Sequence, residues 1–153
     1  MNEDWNEFDS ISPYSDEEAV AALGKLADHP VVSEVSKSLF PKEKEGYLKN
    51  VLKNIKSIDE FQTLVMAKAV AWVLDHTAHN FSYDGIANFK KINGRFLALS
   101  NHRDIILDPA ITQVVLYQNG MQTTEIAVGS NLLSNPYVEA LIRSNRMIKV
   151  IRG

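Results

Sequence analysis

Cysteine is absent from the 153 residues, which excludes a disulfide framework, a thiolate metal site and cysteine-based catalysis. The absence fits a reducing compartment. Long apolar runs are also lacking: the most apolar stretch, residues 69–74, sits between Lys68 and Asp75 and falls far short of the roughly 20 residues needed to span a bilayer. The start, MNEDWNEFDSIS, carries acids where a secretory signal has a basic region and an apolar run. No targeting peptide is expected, and the cytoplasm is the expected location. There is no internal repeat and no low-complexity segment. With 45% hydrophobic residues, the chain is long enough for one domain of ordinary size with a sizeable core.

The net charge of -3 conceals an asymmetry, because the first 18 residues hold seven acids and no Lys or Arg, leaving 16 basic residues against 12 acids in the remainder. That mild surplus suits phosphorylated ligands or an anionic membrane surface and is too diluted to indicate nucleic acid.

The first half reads as helical. Ser15-Asp16-Glu17-Glu18 is a capping box, with Val20, Leu23, Leu26 and Ala27 on the apolar face behind it. His29-Pro30 ends that helix, because a residue before proline is pushed out of the helical region. A short helix over residues 31–39 follows. Tyr47, Leu48, Val51, Leu52 and Ile55 recur at helical spacing opposite Lys49, Lys53 and Lys56, predicting another amphipathic helix. Ser57-Ile58-Asp59-Glu60 repeats the capping pattern and opens a long helical run to about His79, with Trp72 in the core.

After Phe81 the pattern changes. Phe96-Leu97-Ala98-Leu99 and Thr124-Glu125-Ile126-Ala127-Val128 read as buried strands, with a helix over residues 109–118 between them that stops at Asn119-Gly120. Asn135 caps a helix beginning at Pro136, and residues 147–151 form a last strand. The predicted fold class is α/β: a helical N-terminal region, residues 1–80, followed over residues 81–153 by the first strand-helix-strand units of a mostly parallel sheet.

Asn101-His102-Arg103-Asp104 lies directly after one such strand and ahead of a helix, where open α/β sheets place ligands. A neutral histidine takes a proton from a hydroxyl near neutral pH, and a neighbouring carboxylate orients the ring and stabilises the imidazolium. His102 with Asp108, or with Asp104 as the alternative orienter, supplies those parts. Asp108-Pro109 also has the pattern of an N-cap followed by the first helical residue, so helix capping competes with catalytic pairing for Asp108.

Ser100-Asn101-His102-Arg103 with Asp108-Pro109 resembles the first motif of the phospholipid and glycerol acyltransferase family, which includes 1-acylglycerol-3-phosphate acyltransferases. Tyr83-Asp84-Gly85-Ile86-Ala87-Asn88 resembles the family's Gly-x-Glu-Asn stretch, with Ala87 where Glu is usual. Residues 126–136 and 147–152 are similar to its middle region. The resemblance implies that His102 acts as general base on a hydroxyl of glycerol phosphate or a lysophospholipid. That hydroxyl attacks an acyl thioester of coenzyme A or acyl carrier protein, a co-substrate, with no cofactor and no metal. It further implies Asn101, Arg103 and Arg152 as substrate-binding residues, Arg152 toward the phosphate, and a peripheral position on the cytoplasmic face of a membrane.

The chain departs from the family pattern in two places. One extra residue separates His102 from Asp108, which a non-helical turn must absorb, since six positions along a helix place two residues about 240° apart. The later Glu-Gly-x-Arg motif is absent from the 51 residues after His102, so residues 81–153 read as the opening part of an acyltransferase domain, truncated at its C-terminus. The reading from another class is a non-catalytic fragment whose helical region is an interaction or membrane-docking module.

Other signals carry less. His102-Arg103-Asp104 spells the start of a kinase catalytic loop, but Pro109 stands where that loop needs Asn. His76 and His79 share a helix end without a carboxylate partner, which suits favourable charge there rather than a metal. Arg143 and Arg146 read as solvated exterior. Lys49, Lys53 and Lys56 read as an ordinary exposed face, with anionic lipid as the alternative.

Overall fold

The computed structural model describes residues 5–151. Helix α1 (Trp5–Ile11) precedes α2 (Asp16–Leu26), which opens on the expected capping box: the Glu18 amide donates to Ser15 Oγ at 3.2 Å and the Ser15 amide to Glu18 Oε2 at 2.8 Å. Helices α3 (Val31–Leu39) and α4 (Tyr47–Asn54) follow. The long helical run then appears as α5 (Ile58–Phe61), a π-helical turn (Gln62–Met66) and α6 (Ala67–Thr77). Its capping box is half formed. Ser57 Oγ accepts from the Glu60 amide at 3.2 Å, while the Glu60 carboxylate reaches one residue further back, to the Lys56 amide at 2.9 Å.

The chain divides into two compact units, one made of the segment up to Ala69 together with that from Glu125 on, the other of Val70–Thr124. The first unit holds the principal core. Leu23 and Phe61 are fully enclosed, with Leu26, Val32, Phe40, Leu48, Leu52, Ile55 and Val65 packed around them. These are the apolar faces of α2 to α5 and of the π turn, as the helical spacing predicts. Asp16 ties two of the helices together by accepting from the Ile58 amide at 2.8 Å.

The same unit contains a two-stranded parallel sheet of β1 (Ile126–Gly129) and β2 (Met147–Val150), with Ile126 opposite Met147 and Gly129 opposite Val150. Parallel strands need a crossover, and α9 (Pro136–Arg143) lies within it. Asn135 caps α9 through the Tyr137 and Val138 amides, with Pro136 at the first helical position. Helix α9 packs on α2, and β1 begins two residues later than its apolar run.

The second unit carries α7 (Ile86–Phe89) and α8 (Leu107–Gln118), and α8 ends at Asn119 and a left-handed Gly120 as expected. Here the structure departs from the sequence reading. Residues 96–99 form no strand and are not buried: Leu97 is 84% and Leu99 88% exposed. The reason is that no strand lies in this unit among the described residues to pair with their backbone, and an apolar run becomes a strand only where a ladder takes up its polar groups. The architecture is therefore a mixed helical one with a small parallel sheet, compatible with the α/β class. The strand-helix-strand unit expected around α8 is not formed. No helix among the described residues is long and apolar enough to cross a membrane.

Candidate functional site

The motif occupies the turn that leads into α8. Residues 103–106 form bends and turns before the helix begins at Leu107. The extra residue between His102 and Asp108 is thus accommodated outside the helix. Helix α8 starts two residues earlier than Asp108-Pro109 suggested. Pro109 sits in the first turn, where its missing N–H has no intrahelical partner to lose.

Two carboxylates organise this turn reciprocally. Asp104 Oδ1 accepts from the Ile106 amide at 2.8 Å and the Leu107 amide at 2.7 Å, satisfying free donors at the helix start. Asp108 Oδ2 reaches back to the Arg103 amide at 2.6 Å and the Asp104 amide at 3.1 Å. The capping role expected of Asp108 belongs to Asp104, and Asp108 closes the loop from the other side. The Leu107 and Ile106 amides hold the Asp104 carboxyl below the usual aspartate range, and the nearby charge of His102 acts in the same direction.

Asn101, His102, Arg103 and Asp104 are exposed and Asp108 is half-buried. Among the described residues no hydrogen bond joins the His102 ring to either carboxylate, both of which are engaged with backbone N–H groups. Arg152, the expected phosphate ligand, lies outside the described residues. The His102 side chain is open to solvent on this turn.

His76, Lys49 and Lys53 have identifiable partners. His76 stacks on Trp72, with ring centroids 4.3 Å apart, and its Nδ1 lies 2.7 Å from the Trp72 carbonyl oxygen. No group of three or more His, Asp or Glu side chains is placed to hold a metal ion among the described residues. Lys49 and Lys53 both pair with Asp28, at 2.9 and 2.8 Å.

Arg143 and Arg146 are not the solvated exterior expected of them. Arg143, only 11% exposed at its side chain, donates to the carbonyl oxygens of Ser12 and Asp9 and lies over the Tyr14 ring. Arg146 donates to Asp59 at 2.7 Å. Their partners lie 131 and 87 positions away in sequence, so no local spacing signals them. An Asp ahead of an apolar helical face is a standard N-terminal signal, and the sequence offers two, Asp104 and Asp108.

Compared with protein-family models, with curated proteins and with solved structures, the chain finds no match in any of the three.

Proposed function

We propose that this chain carries part of an acyltransferase that moves a fatty acyl group from a thioester of coenzyme A or acyl carrier protein to a hydroxyl of glycerol phosphate or a lysophospholipid, in phospholipid biosynthesis. The observation behind the reading is the segment from Ser100 to Pro109, with an exposed histidine at the start of the turn into α8 and two carboxylates that tie that turn together. His102 removes the acceptor hydroxyl proton as the oxygen attacks the thioester carbon. The carbon–sulfur bond then breaks and the departing thiolate takes the proton back from the imidazolium, leaving ester and free thiol with the histidine regenerated.

In this reading Asp104 supports the imidazolium by its charge, while Asp108 fixes the turn and orients His102 only by exchanging a backbone bond for the ring. Asn101, Arg103 and Arg152 bind the acceptor. The reading carries with it residues 81–153 as the opening part of a catalytic α/β domain, with residues 96–99 leading into the motif without forming a strand. It also carries a cytoplasmic location, peripheral to a membrane. One observation favours the non-catalytic alternative: every residue from 90 to 106 is exposed, and a base works best where water is excluded. The test is release of free thiol when the full-length gene product meets an acyl thioester and glycerol phosphate or lysophosphatidate. Acceptor-dependent release supports transfer, and no release with either donor class and either acceptor overturns it.

A further inference from the structure

The turn that joins α9 to β2, Ser144-Asn145-Arg146, buries an unusual amount of polarity. Ser144 is fully enclosed with its hydroxyl unpartnered, Asn145 is 9% exposed, and the Arg146 Nε is buried without a partner. Arg146 also holds a left-handed backbone, φ 57°, a conformation that side-chain-bearing residues avoid. Such costs persist only where the surroundings over-determine the conformation.

Two residues across the fold do so. Gln62 Nε2 donates to Asn145 Oδ1 at 2.9 Å, and Arg146 donates to Asp59 Oδ1 at 2.7 Å. Gln62 is the first residue of the π-helical turn. On the other side of the joint, the Arg146 carbonyl oxygen accepts from the Ile126 amide at 3.0 Å, at the end of the ladder where Ile126 faces Met147.

We propose that Asp59 and Gln62 form a polar latch that holds the start of β2 to the π-helical turn and sets the β1–β2 pairing from that end. The latch opens locally: parting Gln62 from Asn145 and Asp59 from Arg146 frees this end of β2, while Val65 of the same π turn stays in the core.

The test is amide hydrogen exchange, followed by NMR on the intact chain, in wild type, Gln62→Met, Asp59→Ala and the double variant. The latch predicts that exchange of the Ile126 amide accelerates about tenfold in Gln62→Met, while the Leu52 amide in the core changes less than about twofold. Asp59→Ala, at an exposed carboxylate, should accelerate Ile126 in the same selective way and decides the question alone if Gln62→Met does not fold. In the double variant the two effects should fall short of multiplying. Unchanged exchange at Ile126, or equal acceleration at Ile126 and Leu52, overturns the latch.

Discussion

Truncating Leu23 to alanine, set beside the same truncation at Leu99, separates the core the structure shows from the one an apolar pattern alone suggests. Leu23 is 0% exposed, on α2 within the main cluster, whereas Leu99 is 88% exposed. Removing a buried leucine side chain forfeits its transfer free energy and leaves a cavity, about 3 kcal/mol or more. Removing an exposed one costs within about 0.5 kcal/mol. With a urea slope of about 2 kcal/mol/M, the unfolding midpoint should fall by about 1.5 M for Leu23→Ala and by about 0.25 M at most for Leu99→Ala. The assay is urea unfolding followed by circular dichroism of the helices, with the slope checked for constancy. Equal losses in the two variants would refute the reasoning, because residue 99 would then be packed in a core strand.

Helix capping gives a second prediction: Ser15→Ala and Asn135→Ala should each cost about 1 kcal/mol by the same assay, and no change in either would contradict the observed caps. For Asp104, whose folded-state pKa is depressed by the Leu107 and Ile106 amides, the cap contributes stability above the ordinary aspartate pKa and loses it as pH falls through the lower folded value. An NMR titration of its carboxyl carbon should find a midpoint below that of an unstructured aspartate, and an ordinary midpoint would refute the assignment.

Features set by neighbouring residues were legible in the sequence. The Ser15 and Asn135 caps, the stop at Gly120, the end of α2 at Leu26 a few residues ahead of Pro30, and the amphipathic spacing of α2 to α5 depend on contacts within a few positions. What depends on distant partners was not. Residues 96–99 have the composition of a strand but no neighbouring strand in their unit, and the interactions that enclose Arg143 and Arg146 come from residues far away in sequence. At the candidate site, the position of His102 ahead of a helix followed from the motif. The division of labour between Asp104 and Asp108 did not, since either carboxylate satisfies the cap chemistry and only the start of α8 at Leu107 decides between them.

The most direct measurement is acyl transfer from a thioester to a glycerol phosphate hydroxyl by the full-length gene product, wild type against His102→Ala. With His102 as general base, turnover should fall by about 10²- to 10⁴-fold, the variant still binding the acyl donor. Turnover close to wild type in His102→Ala would contradict the role assigned to that histidine.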